Sequence, residues 1–537
     1  MFLGATGRPQ RRGGRGRPPV GRLLAVLLVL AALVAGGVLA VRALSGPPDR
    51  RHAAAQAYVA AWSRRDIAAM WRALDPATRQ QRPLAAFRGL VQRADAAAGV
   101  TQVRTGRLGP LRDGAVRVPV AVSTSRFGTL RGVMTIPVRQ DGEVAGVRWT
   151  PDLRLPGLRA REAVTRRSGP QPRRASVLGA DGHVLQDAVV GRVPSGSDAG
   201  SGLERQWDAR LAGAPSATLR FGSRTIRRVA ARPGRSVRTT LRPGLQATAT
   251  AALGGKLGGV AVLRPSDGAI LALGGLASSA PQPPGSTFKI VTVSAALKAG
   301  ITSPGRSYPV RSFATLSGVK LRNASDESCG GTLSTAFAQS CNSVFAPLGA
   351  QLGAKRLVAA AEAFGFNEAP RVPGAKTSTI PSAAQLKDSL AVGASAIGQD
   401  RDLATPLQMA SVGATIGRHG MRTRPRLVTL DPIVRRRVVS SRVAAQVRTM
   451  MLGVVSSGTG TAAALPGIQV AGKTGTAELR PTAGGPPDPK NTDAWFVAFA
   501  PAQRPTVAVA VMLVGAGAGG KAAAPIARQV LRATLVG

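Results

Sequence analysis

The chain is 537 residues long, 44% hydrophobic, and carries a formal net charge of +46. That length predicts about two to four domains, and the apolar content excludes an intrinsically disordered protein. So basic a chain raises nucleic-acid binding, but no helix-turn-helix, zinc-finger, KH or RNP signature is present. The arginines are spread and not blocked, which fits charge displayed toward anionic polymers and no nucleic-acid partner.

In chain order, residues 1–22 form a basic tail, with Arg8, Arg11, Arg12, Arg15, Arg17 and Arg22. Leu23 to Val41 follows as an unbroken run of 19 apolar or glycine residues. At helical rise it spans about 28 Å, close to a bilayer core. Positive charge on the near side places the N-terminus in the cytoplasm and the rest outside, as a single-pass plasma-membrane protein. The alternative is a cleaved signal peptide ending near Val38-Leu39-Ala40; the length of the run favours an uncleaved anchor.

A first domain is expected over 52–158. Tyr58, Trp62, Met70, Trp71 and Leu74 recur at near-helical spacing, the mark of a core face. Strands follow at Ala115 to Val122, Leu130 to Val138 and Val144 to Thr150, with turns at Phe127-Gly128 and Asp141-Gly142. A helical start followed by a curved antiparallel sheet suggests an NTF2-like cone. Over 159–236, a Pro/Arg-rich stretch from Arg166 to Arg174 precedes a hairpin over Ser176 to Leu185. Short strands and Gly-rich turns complete the region. In 237–537 a helix is predicted at Leu245 to Leu253. Strands at Gly259 to Leu263 and Ala269 to Leu273 pair across Ser266-Asp267-Gly268. Strands recur at Trp495 to Phe499 and Thr506 to Leu513, and a helix closes the chain near Pro525 to Leu535.

Three short motifs in this last region carry chemistry: Ser286-Thr287-Phe288-Lys289, Ser340-Cys341-Asn342 and Lys473-Thr474-Gly475-Thr476. They read S-x-x-K, S-x-N and K-T-G, a set that specifies a serine attacking an amide carbonyl to form an acyl-enzyme. A second S-x-x-K, Ser317-Gly318-Val319-Lys320, shows how easily one motif arises by chance. Context separates them. Pro283-Pro284-Gly285 precedes Ser286 and an apolar helical run follows it, so Ser286 sits at a helix N-terminus. Lys289 lies one turn on, with its amine in reach of the hydroxyl. Ser317 has no such helix.

The three histidines, His52, His183 and His419, support this by elimination. None has a nucleophile elbow beside it, and no zinc spacing is present. A lysine base suits such a chain, because burial and a neighbouring cation lower a lysine pKa toward neutral. Arginine does not serve as that base, because it does not deprotonate. The only two cysteines, Cys329 and Cys341, flank the S-x-N segment. They are either two buried thiols or a disulfide, and an extracytoplasmic setting favours the bridge.

With these parts in place, the chain resembles a class B penicillin-binding protein, an anchored D,D-transpeptidase of peptidoglycan synthesis. The resemblance covers roughly 237–537. It extends beyond the three motifs to Ile397-Gly398-Gln399, to Ala404-Thr405-Pro406-Leu407-Gln408-Met409-Ala410 and to Ala494-Trp495-Phe496-Val497. The first domain resembles the NTF2-like domain of the MecA type, and 159–236 the pedestal or dimerisation domain. There Arg174-Ala175-Ser176 departs from the usual R-G start. The resemblance implies an α+β, multidomain architecture whose serine transpeptidase/β-lactamase-like domain is an antiparallel sheet flanked by helices.

The resemblance also implies roles. Ser286 is the nucleophile and Lys289 its base. Ser340 relays a proton to the leaving D-alanine, and Asn342 orients Lys289. Lys473 adds positive charge toward the substrate carboxylate, while Thr474, Gly475 and Thr476 line the substrate. The backbone N–H groups of Ser286 and Thr476 form the oxyanion hole. Peptidoglycan stem peptides and β-lactams are the implied ligands, and proteins of cell-wall elongation or division the implied partners; no metal or cofactor is implied. The alternatives are a D,D-carboxypeptidase, a β-lactamase, or a scaffold whose catalysis is dispensable.

Overall fold

A computed structural model describes residues 49–193, 200–479 and 488–536. The basic tail and the 23–41 apolar run lie outside the described residues; among those described, no helix is long and apolar enough to cross a membrane. The chain divides into two compact units. One comprises Met1–Pro170 with Pro215–Ala231, the other Gln171–Ala214 with Arg232–Gly537.

The smaller unit opens with helix α1 (Arg51–Ser63), two short helices at Ile67–Arg72 and Pro76–Gln81, and α2 (Leu84–Ala98). Asp66 and Asp75 cap the short helices by accepting from Ala69 N at 2.9 Å and Thr78 N at 3.0 Å. Strands β1 (Val100–Thr105), β2 (Ala115–Thr124), β3 (Gly128–Asp141) and β4 (Val144–Val147) form an antiparallel sheet in the order β1-β2-β3-β4. Val116, Val118, Val120 and Val122 alternate inward along β2, as a half-buried strand requires. They share a core with Tyr58, Trp62, Phe87 and Trp149. β4 stops at Val147, short of the expected Thr150, because Trp149 turns into that core against Phe87, ring centroids 4.9 Å apart.

Three more strands, β5 (Val164–Ser168), β6 (Ala217–Phe221) and β7 (Arg224–Val229), pair in the order β5-β6-β7 and bury Ala217, Leu219 and Phe221 in the same core. The stretch read as a Pro/Arg-rich opening therefore begins as a strand. Residues 159–236 are shared between the two units, since 171–214 belongs to the larger one. Over Ser176 to Leu185 the chain reverses, with Gly179 N donating to His183 O at 2.9 Å. Yet Val177–Leu178 pairs in parallel with Val237–Arg238, so the expected hairpin is a single bridge, Leu178 to Val184. Two five-residue helices, Gly202–Gln206 and Asp208–Ala212, stand where only strands and turns were expected. Arg174 ties them together through Glu204 and Asp208.

The larger unit is built on strands β8 (Gly258–Arg264) and β9 (Ala269–Gly275), helices α3 (Lys289–Lys298), α4 (Leu333–Ala338), α5 (Asn342–Leu352), α6 (Pro406–Gly417) and α7 (Ser441–Ser456), strands β10 (Ala471–Glu478), β11 (Thr492–Ala500) and β12 (Val507–Leu513), and helix α8 (Gly519–Leu535). The five strands form one antiparallel sheet, β9-β8-β12-β11-β10. Every residue of β11 and β12 is buried, because helices cover both faces. Val507, Val509 and Val511 face a core with α8, and Ala508, Ala510 and Met512 face a core with α3 and α6. This two-sided burial gives the continuous apolar runs in the sequence. α8 begins before the expected Pro525, which it carries inside.

Candidate active site

Ser286 does not open an α-helix. It lies in a 3₁₀ turn, Gly285–Phe288, that feeds into α3. Gly285 has φ 51°, and a Cβ there would meet Thr476 O at 2.7 Å. Both facts demand glycine, and the close approach sets Ser286 directly against β10. Gly475 is equally crowded, since a Cβ would lie 2.9 Å from Thr287 Cγ2. Gly285 N donates to Gly398 O at 2.9 Å, so the Ile397-Gly398-Gln399 segment braces the turn from behind. Ser286 itself is partly exposed.

Ser340 stands between α4 and α5 at φ 64°, a left-handed conformation that costs a non-glycine residue about 1–3 kcal/mol and concentrates at functional sites. Asn342 begins α5, and Cys341, between them, is bonded to Cys329 in the strand Cys329–Thr332. Lys289 Nζ donates to Ser340 O at 2.6 Å and Asn342 Oδ1 at 2.7 Å, with Ser340 Oγ at 3.4 Å. Asn342 Nδ2 in turn donates to Arg322 O at 2.7 Å, which fixes its oxygen toward the lysine. The amine is thus held by the S-x-N segment. Among the described residues it makes no hydrogen bond to Ser286 Oγ.

Lys473 on β10 was expected to present charge to substrate. Its amine donates to Ser340 Oγ at 2.8 Å and to Thr474 O at 3.1 Å. Both lysines are fully buried, with Lys289 Nζ 5.6 Å from the Phe345 ring centre and Lys473 Nζ 5.4 Å from that of Phe337. Neither has an ion pair among the described residues. Burial, and secondarily Lys473, hold the Lys289 amine well below the usual lysine range. Burial lowers Lys473 to about 7. Ser340 Oγ thus sits between two amines whose hold on the proton burial has loosened.

Sequence reasoning missed Thr459, whose hydroxyl lies 2.5 Å from that of Thr474. Its only signal was a glycine-flanked position before K-T-G. It also missed Asp402, fully buried, with Ser395 Oγ 2.9 Å from each carboxylate oxygen. Burial pushes that carboxyl well above its usual value. The second S-x-x-K falls on a hairpin turn, with Ser317 and Gly318 at positive φ and Lys320 exposed. Among the described residues no histidine hydrogen-bonds to a site residue: His52 faces Gly109 O, His183 is exposed beside Asp181, and His419 lies in a turn after α6.

The penicillin-binding protein transpeptidase domain model matches residues 258–532, just over half of the chain. The peptidoglycan D,D-transpeptidase PbpA of Mycolicibacterium smegmatis is 37% identical over 409 residues, 62% of this chain and 79% of that protein. PbpA of Mycobacterium tuberculosis is 38% identical over 281 residues, 48% of this chain and 55% of its own length. Among solved structures, penicillin-binding protein A from M. tuberculosis as its ceftriaxone acyl-enzyme is similar with TM-score 0.57 and 30% identity, over 68% of this chain and 99% of that one. The chain belongs to the penicillin-binding protein transpeptidase family and is a serine D,D-transpeptidase of that family.

Proposed function

We propose that the chain is a membrane-anchored enzyme that cross-links peptidoglycan stem peptides and is acylated by β-lactams at Ser286. The observation that carries this is the convergence of two buried lysines, neither ion-paired among the described residues, on Ser340 and Asn342, beside a serine turn pressed onto an edge strand. In the first step Ser286 Oγ attacks the carbonyl of the penultimate residue as its proton passes to neutral Lys289. The N–H groups of Ser286 and Thr476 take the negative charge on the carbonyl oxygen. The C–N bond breaks, and D-alanine leaves with a proton relayed by Ser340 from the lysine pair. An acceptor amine then attacks the ester, yields a proton along the same path, and frees Ser286. Thr474 and Thr476 offer hydroxyls to the substrate carboxylate.

The anchor reading rests on the 23–41 run and the arginines before it, with the catalytic unit outside the plasma membrane. The helices and curved sheet of the smaller unit support an NTF2-like spacer of the MecA type, able to dock cell-wall elongation or division proteins. The test is labelling of the full chain with a fluorescent penicillin, expected to vanish in Ser286→Ala. A pentapeptide with and without an acceptor amine then separates the outcomes. Cross-linked product supports the proposal, hydrolysis alone makes the chain a carboxypeptidase, and rapid penicillin turnover makes it a β-lactamase.

A further inference from the structure

Away from the catalytic serine and lysines, none of which line it, the larger unit holds a cavity of about 30 Å³. Its polar lining is Arg371, Lys376, Ser378, Thr405, Gln408, Arg422 and Arg424, with Glu368 as the sole acid. A single water needs roughly 10–15 Å³ of such room, so the cavity suits one small group. Its charge is unbalanced. Glu368 is already shared, 2.6 Å from Arg422 Nη1 and 2.7 Å from Arg424 Nε. Arg371 and Lys376 have no ion pair among the described residues.

The lining also holds unspent donors. Arg422 is only 8% exposed, and its Nε has no hydrogen-bond partner among the described residues. Ser378 and Thr405 are 4% and 3% exposed. Ser378 Oγ accepts from Thr405 N at 3.0 Å, and Thr405 Oγ1 from Gln408 N at 3.2 Å. The two hydroxyls meet each other only at 3.5 Å. One such contact uses one of two hydroxyl protons, which leaves a buried O–H without an acceptor, a costly state unless a ligand fills it. The first free N–H groups of α6 contribute nothing, since Leu407 N donates to Ala277 O and Gln408 N to Thr405 Oγ1.

Surplus cations and unspent hydroxyl and guanidinium donors around a small volume call for an anion rich in acceptor oxygens. A tetrahedral oxyanion answers donors from several sides, whereas a carboxylate offers two oxygens in one plane. We propose that this cavity binds a phosphate oxyanion, either free or as the end group of a phosphomonoester whose remainder extends from the mouth.

The test is thermal denaturation of the full chain across a phosphate titration at constant ionic strength. Ligand that binds only the folded state raises Tm saturably. Inorganic phosphate and glucose 1-phosphate are the two arms for the source. Saturation by both supports the ester, and by inorganic phosphate alone the free ion. The pocket variant Arg371→Ala/Lys376→Ala is compared with Arg435→Ala/Arg436→Ala, which removes the same charge from another exposed site. The midpoint should move about tenfold or more to weaker binding in the pocket variant and stay in place in the control, since direct charge-assisted hydrogen bonds are lost only in the first. Equal midpoints in both variants, a response that never saturates, or acetate acting as well as phosphate would each overturn the proposal.

Discussion

Two places in the larger unit hold cations, and they do so in opposite ways. At the β8–β9 turn, Arg264 and Arg426 share Asp267, with N–O distances of 2.9 Å and 2.6 Å. Burial alone would raise the Asp267 pKa, but hydrogen bonds from Arg264 and Arg426 outweigh it and hold the carboxyl well below its usual range. In the catalytic cleft, Lys289 and Lys473 are buried more completely and receive only carbonyl, amide and hydroxyl oxygens and two phenyl faces. An arginine given a carboxylate braces the fold. A buried lysine denied one loses its hold on the proton, and that makes it useful to a nucleophile.

The largest effect should come from breaking the cleft's side of this contrast. Lys289→Ala and Lys289→Arg should both slow penicillin acylation by about 10²–10⁴-fold, the usual worth of general acid–base catalysis. Arginine keeps the charge but cannot become a neutral base. Stopped-flow acylation with a fluorescent penicillin measures it, and Lys473→Arg should be milder because the Ser340 hydroxyl keeps a donor. If Lys289→Arg retains most of the rate, the amine there is an anchor for Asn342 and not a base.

The contrast extends to stability, with opposite signs. Between about 7 and 10.5 the folded Lys473 is neutral while the unfolded lysine is protonated. The unfolded state then binds more protons, so stability rises with pH across that window and the folded state is penalised below it. Lys473→Met should therefore raise Tm, by more at pH 6 than at pH 10, while destroying activity. Asp267→Asn should do the reverse, costing about 2–3 kcal/mol at pH 7 through two lost charge-assisted hydrogen bonds. That cost should shrink as pH falls below 3.8, where the unfolded carboxyl protonates and the native advantage is lost. Thermal scans at three pH values decide it. A destabilising Lys473→Met would show that the buried amine braces the fold after all.

The sequence carried the local half of this picture. Ser286 and Lys289 are three residues apart, so one turn of helix relates them. The apolar runs of β11 and β12 announce burial on both faces. The convergence of Lys473 on Ser340, 133 residues away, has no trace in spacing, and the resemblance had aimed Lys473 at the substrate carboxylate. Asp402 was invisible because nothing in Asp400-Arg401-Asp402 marks one carboxyl as buried. The helices at 202–212 are too short to show a period, and β5 was hidden because its arginines point to solvent on an edge strand. Chain order also misled at 159–236, where the fold sends β5, β6 and β7 to one core and the segment between them to another.

A third prediction sharpens how the cleft is held. The Cys329–Cys341 bond ties the S-x-N loop to a strand twelve residues earlier in the chain. A loop this short contributes roughly 3 kcal/mol in the chain-entropy model. Reduction, or Cys329→Ser, should lower Tm and slow acylation several-fold while the adduct stays on Ser286, because Ser340 loses a fixed neighbour but no chemistry. Peptide mapping without reductant should find the bridged pair in protein from the cell surface; two free thiols would remove the basis of the prediction.

The smallest effect concerns Thr459, which joins the two halves of the cleft. Its N donates to Ala338 O at 3.2 Å, just ahead of Ser340, and its hydroxyl lies 2.5 Å from that of Thr474 on β10. The segment carrying the relay serine and the strand carrying Lys473 are thereby held by one residue that touches neither lysine. Only the hydroxyl is at issue in Thr459→Val, since the backbone bond survives the change. A partly exposed hydroxyl pair contributes about 1 kcal/mol net, so Tm should scarcely move. The readout is therefore kinetic. Thr474 loses the partner that orients its proton, and kcat/KM for a peptide substrate should fall about three- to tenfold, in line with the same 1 kcal/mol. Thr459→Ser should restore it. If valine and serine both match the wild type, the hydroxyl pair orients nothing, and the cleft is held by backbone and disulfide alone.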